Sequence, residues 1–238
     1  VDGLLKNGYK AVFLAPGLWD AARLKEKADI EGLFSSVTFL EGLRDGRLDQ
    51  FAGQVENKTV AVIGGGSVAM DCVGAAVRLG AKDVYLVYRR SFTQMPAEED
   101  ERIESLNAGI HFLLLNQPID YVVGDGGHIK GLELVRTALG DVDASGRRSP
   151  TNIAGSEWTL PADMVIEAIG NKADEASPTW YPQVKLNDKK LIQVDPDTGK
   201  TSMDGVFAGG DIVRGPALVV NAVQDGKVAA RAIKEYLD

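Results

Sequence analysis

Three clusters in this chain have the residue types and spacing to do chemistry. The first is Gly64-x-Gly66-x-x-Ala69, inside TVAVIGGGSVAMD from Thr59 to Asp71. An apolar run, Val60 to Ile63, stops at three glycines, and a helix-period pattern resumes at Val68, Cys72, Ala75, Ala76 and Leu79. Strand, tight turn and helix in that order fit the dinucleotide fingerprint with alanine in its third place. Gly64 lets the chain turn, and Gly66 has no Cβ to hold a pyrophosphate off the backbone. Ala69 is small enough for the helix to pack on the strand. The helix N-terminus adds unpaired N–H groups and a partial positive charge. Glycines also serve ordinary turns, but here a second strand, Asp83 to Tyr88, follows once Gly80 has closed the helix.

The second cluster is Arg89-Arg90, directly after that second strand. An NAD-preferring site usually has an acidic side chain there, accepting hydrogen bonds from the ribose hydroxyls. A guanidinium instead attracts a 2′-phosphate and makes charge-assisted hydrogen bonds to it, which favours NADP(H) over NAD(H). Without the fingerprint upstream, two solvated loop arginines would be the simpler reading. The third cluster is Gly209-Gly210-Asp211, between a short strand and a helix rich in small residues. An aspartate there can bond a ribityl hydroxyl, and N–H groups near Ala217 to Val219 can meet a flavin carbonyl. The same aspartate could equally cap a turn.

The elements that must position these clusters alternate along the chain. Tyr9 to Leu14 reads as a strand ending at Ala15-Pro16-Gly17. Asp20 to Lys27 reads as a loop or short helix, and Glu31 to Leu48 as an amphipathic helix closed by Gly46. After Tyr88, the acidic run Glu98 to Glu101 suits a helix start and Gly109 its end, and His111 to Leu115 makes a third strand. Asp120 to Val123 and Ile129 to Arg136 form a hairpin around Gly124-Asp125-Gly126-Gly127. Asp141 to Ser156 reads as a loop, and Met164 to Ile169 as a strand stopped by Gly170. Leu191 to Val194 and Val206 to Ala208 are short strands, and Ala217 to Leu237 is one helix. There is no internal repeat.

With 238 residues the chain can build one large domain or two modest ones. A formal charge of −8 argues against nucleic acid or an anionic membrane as partner. No apolar run has transmembrane length and no signal peptide is visible, so a cytoplasmic location is expected. The single cysteine, Cys72, falls on the apolar face of the first fingerprint helix and reads as core, so cysteine carries no redox step. His111 and His128 have no clustered partner and read as structural. Glu98 and Glu99 read as a solvated helix start. No metal-ligand pattern and no catalytic acid or nucleophile stands out.

IGGGSVAMDC, LVYRRSFTQMPAEED and GVFAGGDIVRGPALVVNAVQDGKVAA together resemble the glutamate synthase small-subunit group of flavoprotein pyridine-nucleotide oxidoreductases. That group includes the amino-terminal flavin part of dihydropyrimidine dehydrogenase and the NADPH-binding subunit of ferredoxin-dependent transhydrogenases. YKAVFLAPG resembles the group's strand ending in Ala-Thr-Gly, with Pro16 in place of threonine. The resemblance covers nearly the whole chain. It implies an α/β fold in which a Rossmann-like NAD(P)H-binding domain, three-layered with a β-meander, is inserted into a partial FAD-binding domain. The implied segments are residues 1–55 (FAD-domain segment and linker), 56–170 (NADPH domain) and 171–238 (FAD-domain segment).

By the same resemblance, Gly64, Gly65, Gly66, Ser67, Val68 and Ala69 hold the NADPH pyrophosphate, and Arg89 and Arg90 its 2′-phosphate. Ala168, Ile169 and Gly170 border the nicotinamide. Gly210 and Asp211 meet FAD, with Ala217, Leu218 and Val219 near the isoalloxazine. The group's cysteine-rich iron–sulfur region and the FAD domain's own first Gly-x-Gly-x-x-Gly unit have no counterpart in these residues, and one cysteine cannot ligate a cluster. The FAD site is therefore expected to be incomplete, with an open sheet edge and an iron–sulfur or catalytic partner domain or subunit. The implied activity is hydride transfer from NADPH to FAD and electron transfer onward. The alternatives are a cofactor-binding module inactive alone, or a scaffolding electron-transfer subunit.

Overall fold

The computed structural model describes residues 1–25, 29–44, 48–143 and 146–238. The chain divides into two compact units: Ala21–Ile169, and a smaller one made of Val1–Asp20 with Gly170–Asp238.

The larger unit is built on five parallel strands in the order Leu33–Ser35, Met164–Glu167, Thr59–Ile63, Asp83–Tyr88, His111–Leu114. Nearly every residue of Thr59–Ile63 is apolar because the strand is covered on both faces, as parallel sheets are. Its side chains alternate between two cores. Val60 and Val62 join Phe39, Val73, Leu86 and Ile166 under the helices Ser36–Arg44, Ser67–Arg78 and Glu99–Asn107. Ala61 and Ile63 join Val87, Val165, Ile129 and Leu132 under an antiparallel layer. That layer comprises Asn116–Val123, Ile129–Val142 and Trp158–Pro161. The result is three layers, helices–sheet–meander. Each fully buried aliphatic side chain contributes roughly 1.5–3 kcal/mol.

Four elements differ from what the local pattern suggests. Leu33–Ser35 is a strand, with the helix beginning only at Ser36 and a second helix spanning Leu48–Val55. Leu33 and Phe34 pair with Val165 and Ile166, so a sheet partner some 130 residues away overrides the helical period of a short apolar run. Residues 21–55, expected with the first FAD-domain segment, thus supply an edge strand of the larger unit. The expected loop from Asp141 to Ser156 is largely a hairpin arm. Ile129–Val142 runs on as one strand and Arg148–Asn152 returns along it, Leu139 opposite Pro150. Its polar composition reflects an arm with little apolar surface to bury. Asp20–Ala21 is a two-residue strand. The stop at Gly46 and the end of the Asp20–Lys27 stretch lie outside the described residues.

In the smaller unit, Val12–Leu14 and Val206–Ala208 pair in parallel, Phe13 opposite Phe207. The expected strand from Tyr9 begins only at Val12, and Tyr9 is exposed. Leu191 to Val194 makes isolated bridges rather than a strand. Val206, Ala208, Ile212, Ile192 and Tyr181 form the core. A 19-residue helix, Val219–Leu237, closes the chain. No helix among the described residues is long and apolar enough to cross a membrane.

Candidate functional site

The glycine turn follows the middle strand of the larger unit, and each glycine there has a different steric reason. Gly64 has φ +148°, and a Cβ on it would lie 2.3 Å from the Ala168 carbonyl oxygen. Its N–H donates to Val87 O at 3.0 Å, so the turn is sewn to both neighbouring strands. A Cβ on Gly65 would enter the Tyr88 ring at 2.6 Å. A Cβ on Gly66 would meet nothing within 4 Å. The first two glycines are therefore required by protein packing, whereas Gly66 keeps open the space in front of the helix Ser67–Arg78.

That helix starts without a side-chain cap. The Gly66 carbonyl accepts from Ala69 N–H (2.8 Å) and Met70 N–H (3.2 Å). No acceptor among the described residues meets the N–H groups of Ser67 and Val68. Unpaired N–H groups at a helix N-terminus suit an anion. Ala69 is fully buried against the strand, and Val68 is exposed on the open side. The Ser67 hydroxyl faces another way and donates to Glu101 Oε2 at 2.7 Å. Glu101 also accepts from Glu98 N–H (3.0 Å), and Ala97 N–H donates to Gly65 O (3.0 Å). The segment after Arg90 is thus folded back onto the turn. A neighbouring acid, Asp71, has its pKa raised, first by burial and then by Glu101.

The two arginines part company. Arg89 is exposed at the strand end. Arg90 is 4% exposed, and its guanidinium donates to Asp143 Oδ2 (2.5 Å) and Arg148 O (2.8 Å). Successive residues leaving a strand face opposite ways, and a guanidinium turned inward needs a carboxylate. Ala168, whose carbonyl abuts Gly64, and half-exposed Ile169 end the neighbouring strand of this unit; Gly170, with φ +114°, begins the next part of the smaller one.

Glu167 escaped the sequence reading, because Met164 to Ile169 reads simply as an apolar strand stopped by Gly170. It is 1% exposed, and its Oε1 accepts from the Tyr121 hydroxyl (2.8 Å) and Leu24 N–H (2.6 Å). Burial, and then the Glu167 carboxylate, raise the Tyr121 phenol pKa. Glu167 Oε2 has no hydrogen-bond partner and lies 3.9 Å from Arg23. The carboxylate sits one residue before the carbonyl that braces the glycine turn.

In the smaller unit, Gly209 is where the long helix crosses the strand end. A Cβ there would lie 2.8 Å from Asp225 Cβ. Asp225 accepts from Gly210 N–H (2.9 Å) and from Arg214 Nε (2.7 Å) and Nη2. The guanidinium beside it holds its carboxyl below the usual carboxylate range. Burial raises the pKa of Asp211, offset by a hydrogen bond from the Ala217 backbone. Gly210, Asp211, Ala217, Leu218 and Val219 border one cleft of ≈430 Å³. Phe13, Ala15 and Gly17 border it too, and the sequence had marked these only as a strand end. A larger cleft of ≈520 Å³ around Ile192, Asp195 and Val228 holds the Arg214–Asp225 pair, whose charges already satisfy each other. Cys72 is fully buried. Among the described residues no cluster of metal-ligating side chains occurs.

The residues present fit two groups. Open Gly66, the uncapped helix start and exposed Arg89 fit a dinucleotide carrying a 2′-phosphate. The cleft at Asp211, with the uncapped start of Val219–Leu237, fits the ring and ribityl end of a flavin.

Residues 3–226 match the family model for pyridine nucleotide-disulphide oxidoreductases. The chain is 42% identical over 233 residues to the NADP(+)-dependent formate dehydrogenase subunit beta of Moorella thermoacetica, covering 98% of this chain and 32% of that protein. It is 37% identical over 249 residues to the glutamate synthase [NADPH] small chain of Escherichia coli, covering 100% and 52%. It therefore spans about a third to a half of the length of these curated relatives. Among solved structures it superposes on Mycobacterium tuberculosis FprA in complex with NADPH, with TM-score 0.78 and 18% identity. That match covers 100% of this chain and 66% of the other. The thioredoxin reductase of T. acidophilum gives TM-score 0.70 at 20% identity, covering 96% and 66%. The fold is that of the two-dinucleotide-binding-domain flavoproteins. The chain belongs to the pyridine nucleotide-disulphide oxidoreductase family.

Proposed function

We propose that this chain is the NADPH-binding part of a flavoprotein oxidoreductase of the glutamate synthase small-subunit type. The observation that carries the reading is the open space at Gly66 before an uncapped helix start, with Arg89 exposed at the next strand end. When bound, NADPH supplies a hydride and FAD accepts it, passing electrons onward to iron–sulfur centres of a partner domain or subunit. The chain's own residues bind and orient. Ser67 and Val68 offer N–H groups to the pyrophosphate, with Gly64, Gly65 and Ala69 shaping the turn. Arg89 meets the 2′-phosphate. Ala168, Ile169 and Gly170 border the nicotinamide.

At the other site, Gly210, Asp211 and the stretch Ala217–Leu218–Val219 face the flavin. The rings must be held with reacting atoms within about 3–3.5 Å, and no side-chain acid or nucleophile is needed. The names of the relatives support the reading, since a formate dehydrogenase beta subunit and a glutamate synthase small chain are parts of larger assemblies. The location proposed is cytoplasmic.

The test is fluorescence titration with NADPH of the wild type and of Gly66→Val. A valine there projects into the open space, so binding should fall at least tenfold while the fold persists. Equal titration curves would reduce the glycine turn to a turn.

A second reading, a cofactor-binding module inactive on its own, is favoured by the two-stranded sheet and exposed apolar helix start of the smaller unit. Stoichiometric flavin absorbance in the purified chain would sink it.

A further inference from the structure

The buried Arg90 has a different task from its exposed neighbour. Four hydrogen bonds tie the turn from Arg89 to Gln94 to the long hairpin: one from Thr137 on its first strand, one at Asp143 just past that strand, and two at Arg148 on the returning strand. Arg90 donates to Asp143 Oδ2 (2.5 Å) and Arg148 O (2.8 Å). Arg148 N–H donates to Gln94 Oε1 (2.9 Å), and the buried Thr137 hydroxyl donates to Arg89 O (2.8 Å). From the strand side, the Tyr88 hydroxyl donates to Gln94 O (2.8 Å). The Arg89 carbonyl is therefore held by the first strand of the hairpin, and the Arg90 guanidinium is the charged centre of the set, bound to Asp143 past that strand and to Arg148 on the returning one.

We propose that Arg90 and Asp143 form a positioning pair that fixes the hairpin arm against the Arg89 turn, setting 2′-phosphate selectivity without Arg90 touching the phosphate. This rests on the NADPH reading above and reassigns one of its two arginines. The electrostatics agree. Asp143 already neutralises Arg90, so a dianion approaching Arg90 would meet a carboxylate at contact distance. The side chain of Arg90 is 5% exposed and that of Asp143 29%. A guanidinium fork, with Nε and Nη2 each committed to a different acceptor, sets an orientation that a single point charge cannot.

Two variants of the full chain decide it, each titrated with NADPH and with NADH. In Asp143→Asn the arm loses its charged anchor, so NADPH binding should weaken about 5–10-fold and NADH binding less than 2-fold. Arg90→Lys keeps the charge and loses the fork, and the same fall in the NADPH/NADH affinity ratio is expected. If Arg90 were a phosphate ligand, removing the competing carboxylate in Asp143→Asn would tighten NADPH binding and raise the ratio. That result overturns the proposal. Unchanged ratios, or equal weakening for both nucleotides, overturn it as well, since a merely structural pair would not discriminate. Equal affinity of the wild type for NADPH and NADH would instead remove the underlying 2′-phosphate reading.

Discussion

The two units treat their glycine-bearing strand ends differently. In the larger one the turn is enclosed by the protein. Gly64 is pressed on Ala168, Gly65 on Tyr88, and the strand beneath has both faces buried. Only Gly66 opens outward. In the smaller unit the corner at Gly209 is pinned by Asp225, but the surface around it is bare. Leu218 is 52% exposed, Val219 81% and Val220 65%. The contrast teaches what each site depends on. The nucleotide turn is shaped by contacts within its own unit. The corner proposed to face the flavin instead exposes contiguous apolar side chains, the kind of patch found at ligand and partner sites.

Substitutions can break or sharpen this contrast. The largest effect belongs to Gly64→Ala. The methyl would require φ +148° and a 2.3 Å approach to Ala168 O, so strain and overpacking together cost roughly 2–5 kcal/mol. Amide exchange in Thr59–Ile63 should accelerate accordingly. Unchanged protection would mean that the turn is not braced as described. Gly66→Val, two positions on, is expected to leave that protection within about 1–2 kcal/mol of the wild type, the cost of an unfavourable helix cap. Its effect falls on nucleotide binding instead. The smallest effect on stability should come from Val219→Ser, because the side chain has few contacts to lose: within about 0.5 kcal/mol. A thermal melt showing a shift as large as that of Gly64→Ala would place Val219 in a core and erase the contrast.

The legibility of each part in the sequence follows from the range of the interactions that decide it. The strand–turn–helix at Thr59 to Arg78 was readable because its signals are local: a change of period and glycines that backbone geometry demands. The helix Glu99–Asn107 was readable from its acidic start. Leu33–Ser35 was not, because it is a strand only through its pairing with Met164–Glu167. The arm Arg148–Asn152 was hidden by polar residues that suit a loop equally well. At the site, adjacent arginines look identical in a sequence. Only the position of Asp143, more than fifty residues downstream, turns one inward and leaves the other to solvent. Glu167 was missed for the same reason, since its partners Tyr121, Leu24 and Arg23 are distant in the chain.

The central claim is that this chain recognises NADPH through its 2′-phosphate at Arg89. Calorimetric titration of the wild type and Arg89→Ala with NADPH and NADH tests it most directly. One charged hydrogen-bonded contact contributes about 1.5–3 kcal/mol. The account therefore predicts that NADPH binding weakens roughly 10–100-fold in Arg89→Ala, while NADH binding stays within about twofold of the wild type. Equal losses for the two nucleotides, or no loss for either, would contradict it.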